Sequence, residues 1–130
     1  MVDTTKAVAT FLRSSPGVTF KVFENHRPRD EDDCITVVAN GGLVIDEFLG
    51  MQDIIRKNML ILYIRSSQYP TAVQQAGAVA KALKAFTVII TLDDSDICYG
   101  IRPIGGLEPL GVDDLGRAEV SISYNMYVKE

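Results

Sequence analysis

Residues 58–86 decide the fold, and they read NMLILYIRSSQYPTAVQQAGAVAKALKAF. The six consecutive apolar residues of Met59–Ile64 predict a central strand that is covered on both faces of its sheet. Tyr69 and Pro70 then open a helix, because the missing N–H of proline has no partner in the first helical turn anyway. Small and apolar residues recur on one face of this helix, at Ala72, Ala76, Val79, Ala80 and Leu83. The stretch therefore predicts a core strand and a helix that lies close against the sheet.

One more helix and five more strands are predicted around this stretch. Thr4 or Thr5 caps a first helix that ends at about Arg13. Five segments have the apolar spacing or run length of strands: Val18–Phe23, Cys34–Ala39, Thr87–Leu92, Ile97–Pro103 and Ala118–Val128. Between them, Gly41–Gly42 is interpreted as a turn and Gly105–Gly116 as a connector.

The last predicted strand shows the clearest alternation of apolar and polar residues. Its apolar side carries Val120, Ile122, Tyr124, Met126 and Val128, which is typical of an antiparallel strand with one covered face. The order of the elements predicts an α+β fold in which two helices cover a mixed or mostly antiparallel sheet. The length predicts a single domain of residues 1–130.

Composition narrows the classes of function. The formal net charge is −4 and the pI is about 4.9, whereas proteins that grip nucleic-acid phosphates need clustered Lys and Arg. No apolar run approaches the ~20 residues of a membrane span, and no signal peptide is evident. Cys34 and Cys98 fall in predicted strands, which favours buried reduced thiols and leaves a single bridge open. These features predict a cytoplasmic protein.

No residue pattern in the chain predicts an enzyme. The single histidine, His26, lies in a polar segment, and no serine has the glycine-flanked elbow of a hydrolase. The acidic run Asp30–Asp33 is interpreted as a surface loop, with a cation site as the alternative. Gly41–Gly42 lacks the Lys-Ser/Thr that follows in a phosphate-binding loop. We therefore expect no catalytic residue, no metal site and no cofactor.

The segment Leu43–Ile55 is too apolar for an ordinary exposed loop. Two interpretations are open: an additional strand pair in the core, or an arm whose apolar face is buried by another subunit. The sequence favours the arm slightly. Its apolar residues are Leu43, Val44, Ile45, Phe48, Leu49, Met51, Ile54 and Ile55.

The chain resembles a known family in several pieces that occur in order. These are the acidic, proline-containing loop before CITVV at 34–38, the Gly41–Gly42 turn, IRS at 64–66 with Tyr69 and an alanine-rich helix after it, Pro103 with LGVDDLGR at 110–117, and the strand VSISYNMYV at 120–128. Together they resemble the small tail terminator proteins of long-tailed bacteriophages, also called tail-completion or minor capsid proteins. Leu43–Ile55 has no clear counterpart in the family.

The resemblance implies a structural role without catalysis or cofactor. Such proteins are similar in fold, a β-sheet with helices packed on it. They assemble as a ring, typically a hexamer, that caps the finished tail tube, stops its polymerisation and offers a surface to the connector of the head. The implied partners are further copies of the chain, the tail tube protein and the head-completion or connector protein. DNA would pass through without specific binding, in a virion assembled in the host cytoplasm.

Two other functions compete with this interpretation. A head-completion or neck protein is also small and ring-forming, and binding to the tail tube protein would distinguish the two. A small enzyme or ligand-binding domain would use a pocket beside the sheet instead, and a ligand-induced rise in melting temperature would favour it.

The candidate interaction residues fall into three groups. The first is an apolar patch between subunits, formed by Leu43, Val44, Ile45, Phe48, Leu49 and Met51. The second is Arg65 and Arg117, each expected either to pair with a loop carboxylate, within or between subunits, or to be solvated at a strand end and in a loop. The third is a channel-facing acidic group, Asp30, Glu31, Asp32 and Asp33, whose charge would keep DNA from sticking.

Overall fold

The structure is a computed structural model in which residues 4–44, 55–84, 90–91 and 97–129 are described. The two helices are α1 (Thr4–Arg13) and α2 (Tyr69–Leu83). The strands are β1 (Lys21–Glu24), β2 (Cys34–Val44), β3 (Ile55–Ser66), β4 (Ile90–Thr91), β5 (Ile97–Val112) and β6 (Ala118–Lys129).

The strands form one mixed sheet in the order β1-β2-β3-β6-β5-β4. The β1–β2 pair is parallel, and the other four neighbouring pairs are antiparallel. The predicted α+β fold, with two helices and a mixed sheet, is confirmed. The predicted strands Thr87–Leu92 and Ile97–Pro103 correspond to β4 and β5, which pair through Ile90 with Cys98 and Thr91 with Ile97, while residues 92–96 lie outside the described residues.

Both helices pack on one face of the sheet, here called the helix face. Leu60, Leu62 and Ile64 of β3 are fully buried there. Their cross-strand partners on β2 and β6 continue the same layer, because residues opposite each other in a ladder share a face. The helices contribute Val8, Ala9, Leu12, Ala72, Ala76, Val79 and Leu83 to this core. The core therefore lies between one sheet face and the two helices.

The prediction that β3 is covered on both faces is wrong. Its other side chains point to the opposite face, here called the back face, where Met59 is 39% exposed and Ile61 and Tyr63 are only half-buried. No helix packs on this side among the described residues, and the loop 25–33 covers part of it. A continuous apolar run identified a central strand correctly, but not the number of layers around it.

A polar residue on α2 is buried because it completes the hydrogen bonding of the segment before β1. The side-chain oxygen of Gln75 accepts hydrogen bonds from the backbone N–H groups of Thr19 and Phe20, at 3.1 and 3.4 Å. These N–H groups are outside the sheet ladder, since β1 begins only at Lys21 instead of the predicted Val18. Leaving them unpaired would cost about 1–3 kcal/mol each.

The predicted Gly41–Gly42 turn is wrong, because β2 continues through both glycines to Val44. A register shift between Asn40 and Leu43 shows that they form a β-bulge against β3. Leu43, Val44 and Ile55 are thus strand residues, whereas 45–54 lies outside the described residues.

The order of the strands in the sheet excludes a disulfide between Cys34 and Cys98. Cys34 is a free, buried thiol at the start of β2, and desolvation raises its pKa. Cys98 lies on β5, with β3 and β6 between them. Three strand spacings amount to about 14 Å, which is too far for a disulfide.

The predicted connector Gly105–Gly116 is mostly strand. β5 runs on to Val112 and pairs with β6 through three register shifts. Its Pro103 and Pro109 are tolerated because β4 pairs with β5 only near Ile97, so that the rest of β5 has no described neighbour on that side. The prediction of a connector is wrong because glycine and proline occur in β-bulges and edge strands as well as in loops.

Leu62 allows a direct test of the core. Leu62→Ala should lower the free energy of unfolding by about 3 kcal/mol, because it leaves a cavity in a fully buried layer. Val112→Ala is the matched control; Val112 is 68% exposed, and its loss should cost less than about 0.5 kcal/mol. Urea denaturation measures both, and equal midpoints would contradict the described packing.

Candidate interaction surface

A buried ion cluster closes the back face at one end of β3 and β6. Arg65 and Glu119 lie directly opposite each other in the β3–β6 ladder, and Arg65 Nε donates to Glu119 Oε1 at 3.2 Å. Their side chains are only 9% and 10% exposed. The two other members are Asp113 and Arg117, and we call these four residues the arginine cluster. Charges this well shielded need partners for every polar atom.

Asp113 organises the turn between β5 and β6. Its Oδ1 accepts hydrogen bonds from the backbone N–H groups of Leu115 and Arg117, at 3.0 and 2.9 Å. Its Oδ2 accepts from Arg117 Nε at 2.9 Å and lies 3.7 Å from Arg65 Nε. The hydrogen bond from the Arg117 backbone, together with its guanidinium, lowers the pKa of Asp113 despite partial burial. One carboxylate thus holds both the turn and the two arginines.

The arginines also hold the backbone of the loop 25–33. Arg117 Nη1 donates to the carbonyl oxygens of Arg29 and Glu31, at 2.6 and 3.0 Å. Arg65 Nη1 donates to the carbonyls of Pro28 and Glu31. A loop outside the ladder has unpaired carbonyl groups, and the rigid fork of a guanidinium supplies several donors to them. The arginine cluster therefore fixes the loop against the sheet.

Two more arginines form the outer edge of this region. Arg27 lies over the ring of Tyr63, 4.5 Å from its centroid, and pairs with Glu119. Arg29 pairs with Asp114 at 2.9 Å, and both side chains are mostly exposed. A shallow cleft of about 330 Å³ lies among these groups. Because its arginines are all paired with carboxylates of the chain, the cleft is not a free anion site.

The four predicted acidic residues have different surroundings. Asp33 Oδ1 accepts a hydrogen bond from the Ser66 hydroxyl at 2.8 Å, which connects the loop to the end of β3. Glu31 pairs with Lys21 at 3.3 Å. Asp32 is 72% exposed and lies 3.5 Å from Arg117, and Asp30 is exposed. A channel-facing position for this group stays a prediction.

The other predicted residues are only partly placed. Arg65 and Arg117 belong to the intrachain cluster, so they are neither a solvated strand end nor an exposed loop position. Leu43 and Val44 lie at the end of β2, while Ile45, Phe48, Leu49 and Met51 are outside the described residues. A role of either group in contacts between subunits stays a prediction.

Sequence reasoning missed the exposed apolar residues at the turn between β5 and β6. Leu110, Val112 and Leu115 are 45%, 68% and 54% exposed, and we call residues 110–117 the hairpin tip. Gly111 and Gly116 have positive φ values of 96° and 79°, which other residues adopt only with strain. The apolar residues of LGVDDL at 110–115 are the available signal, but the glycines and proline around them predict a connector.

A second apolar surface lies between α2 and β5. This groove of about 280 Å³ is lined by Val73, Ala76, Gly77 and Ala80 from the helix, by Pro103, Gly105, Gly106 and Leu107 from β5, and by Ile122, Ser123 and Tyr124 from β6. Its volume is just below the ~300–1,000 Å³ of typical small-molecule sites. We call it the α2–β5 groove.

The described residues contain no group of three or more His, Cys, Asp and Glu side chains that would hold a metal ion. His26 is exposed in the loop 25–33. Neither described helix has the length and apolar composition that a membrane crossing requires.

Comparison with known proteins identifies the family of the chain. A family model described as bacteriophage tail terminator protein matches residues 9–130. The chain belongs to the bacteriophage tail terminator family. It is therefore a structural component of a phage virion, and the family predicted from the sequence is confirmed.

A solved structure supports the fold of this tail terminator. A chain in the virion of a native gene transfer agent particle is similar with a TM-score of 0.72 and 16% identity, over 97% of this chain and 94% of that one. At this identity the likeness concerns the fold. No curated protein matches the chain.

Asp113→Asn should make the terminator less stable at neutral pH, because a neutral amide has one acceptor oxygen and cannot accept from both the backbone and the guanidinium of Arg117, nor attract the nearby Arg65 as an anion does. The folded pKa of Asp113 lies below the unfolded value of about 4, so its contribution is present above that pH and is lost as the pH falls through the folded pKa. The difference in unfolding free energy between the two proteins should therefore shrink in acid.

Asp114→Asn is the control for this experiment. Asp114 is 65% exposed and pairs with an equally exposed Arg29, so its loss should change little. Chemical denaturation between pH 3 and pH 7 measures all three proteins. A difference for Asp113→Asn that stays constant with pH would contradict the assigned role.

Proposed function

We propose that this tail terminator, as a single domain, forms a homomeric ring on the end of the tail tube, where it stops polymerisation and presents the surface that joins the head. The observation that carries the proposal is the family match over residues 9–130. The partners in this proposal are further copies of the chain, the tail tube protein and a head-completion or connector protein. The chain works without catalysis and without a cofactor.

The surfaces of the described chain support ring formation. A ring needs a heterologous interface, in which one patch meets a different patch of the next subunit. The hairpin tip and the α2–β5 groove are two different apolar surfaces of this kind. The apolar segment Leu43–Ile55 is a further proposed contact between subunits, or with the tail tube.

The distribution of charge suits a channel for DNA. Asp30 and Asp32 are exposed on the loop 25–33, and the arginine cluster keeps the loop in place. Acidic side chains on the inner side of a ring would repel the phosphate backbone and let DNA slide. In this proposal Asp30, Glu31, Asp32 and Asp33 face the channel.

Tail length tests the function directly. Phage lysates that lack the chain should contain tail tubes of variable, excessive length without heads, because nothing blocks addition of further tube subunits. Wild-type chain supplied in trans should restore one uniform length and head joining. Electron microscopy of purified tails measures both.

A different result would point to the alternative function. Tails of uniform normal length in the absence of the chain, combined with heads that fail to join them, would contradict a terminator and favour a head-completion or neck protein. Binding of the purified chain to tail tube protein, and not to portal or adaptor alone, separates the same two functions.

A further inference from the structure

The exposed apolar residues of α2 and of the hairpin tip lie at separate places on the chain. Val112 pairs with Ala118, four residues along β6 from Ile122, where the α2–β5 groove begins on that strand. At about 3.3 Å per residue this separates the two surfaces by about 13 Å. A chain therefore does not fill its own groove with its own tip, and both surfaces remain available to other molecules.

The hairpin tip has the properties of a preformed contact. Two of its apolar side chains, Val112 and Leu115, are more than half exposed. Asp113 holds the turn between them through backbone and side-chain hydrogen bonds. A rigid apolar projection loses little conformational freedom when it binds, which favours association.

The α2–β5 groove has the shape and the space for aliphatic side chains. A Cβ atom added at Gly77 would meet no heavy atom within 4 Å, so the groove is open above the helix. Val73, on the rim, is 36% exposed, and Tyr69, one helical turn earlier, is 47% exposed. The groove thus continues into an apolar strip along α2.

Charge complementarity identifies the occupant as a second copy of the chain. The loop 25–33 and residues 110–119 together contain seven carboxylates and only three arginines. Helix α2 and the following Lys84 contain no acidic residue, and Lys81 and Lys84 are exposed at the C-terminal end of the helix, just after Ala80 of the groove. The acidic end of one copy is therefore attracted to the basic helix of another.

We infer that the hairpin tip of one copy, through Val112 and Leu115, seats in the α2–β5 groove of the next copy in the ring. The inference rests on the proposed ring and assigns its interface. Tip and groove are different surfaces, so the contact is heterologous, and an open chain of copies keeps a free tip at one end and a free groove at the other until the ring closes. Asp114 then faces Lys81 or Lys84 of the neighbour, while Asp30 and Asp32 remain available to the channel.

Gly77→Leu tests the groove without removing any existing contact. The added side chain should fill the groove and abolish oligomers, so that the protein elutes as a monomer where wild type forms rings. Gly77→Ala is the matched control, because it adds only the Cβ atom and should leave assembly intact. Both variants should stay folded, since leucine and alanine favour a helix more than glycine does. Thermal unfolding checks this.

Mixing experiments test that the interface is heterologous. Val112→Asp combined with Leu115→Asp should abolish rings and leave the groove intact. An equimolar mixture of this tip variant with Gly77→Leu should form a heterodimer and nothing larger, because one intact tip meets one intact groove. Native mass spectrometry distinguishes this heterodimer from monomers and rings. If either folded variant formed rings of the wild-type size, the inference would be overturned, and Leu43–Ile55 would be left as the candidate contact between subunits.

Cross-linking on assembled tails separates this inference from the function itself. A chain with Val73→Cys and Leu115→Cys should give a disulfide-linked ladder of copies under mild oxidation, and each single variant should not. Tails of normal length that carry the double variant without a ladder would overturn the interface and leave the terminator function standing. Tails that never contain the chain would refute the function. If the double variant in solution also gave no ladder, the proposed interface would be refuted together with the function.

Discussion

The arginine cluster is the interaction on which this end of the molecule depends. Arg65 comes from β3, Glu119 and Arg117 from the start of β6, and Asp113 from the turn. Together they bring a loop with no ladder of its own, 25–33, onto the back face of the sheet. Removing one partner would leave an unpaired buried charge, at a cost of about 3–5 kcal/mol. The cluster therefore couples the position of the acidic loop to that of the hairpin tip.

In the proposed ring the chain would work through its surfaces, so the orientation of its loops would matter as much as the stability of its core. Among the described residues the core lies on the helix face, and the arginine cluster fixes the loop 25–33 and the turn between β5 and β6. Rigid surfaces lose little conformational entropy on binding, which allows several weak contacts around a ring to add up.

Much of the fold could be predicted from the sequence, because periodicity records which residues meet the core. The run Met59–Ile64 identified a central strand, and Tyr69–Pro70 marked the start of α2. The run could not show that no described helix packs on one of the two faces of β3. The prediction of a connector at Gly105–Gly116 is wrong because the local sequence does not show pairing with β6. That pairing makes most of this glycine- and proline-containing segment a bulged strand.

The candidate surface was harder to predict than the fold. Arg65 and Glu119 are 54 residues apart in sequence, and only the β3–β6 register places them together. Neither the donors of Arg65 nor those of Arg117 could be assigned to carbonyl groups of the loop, since carbonyls are present at every residue and carry no sequence pattern. The family resemblance supplied the function, because it rests on an ordered set of pieces along most of the chain.

The proposed ring at the end of the tail tube can be observed by electron cryomicroscopy of the head-proximal end of purified tails. We expect one closed ring of this chain on the last layer of tube subunits, with the hairpin tip of each copy against α2 of the next. A tube end that lacks the chain, or density for the chain only within the head, would contradict it.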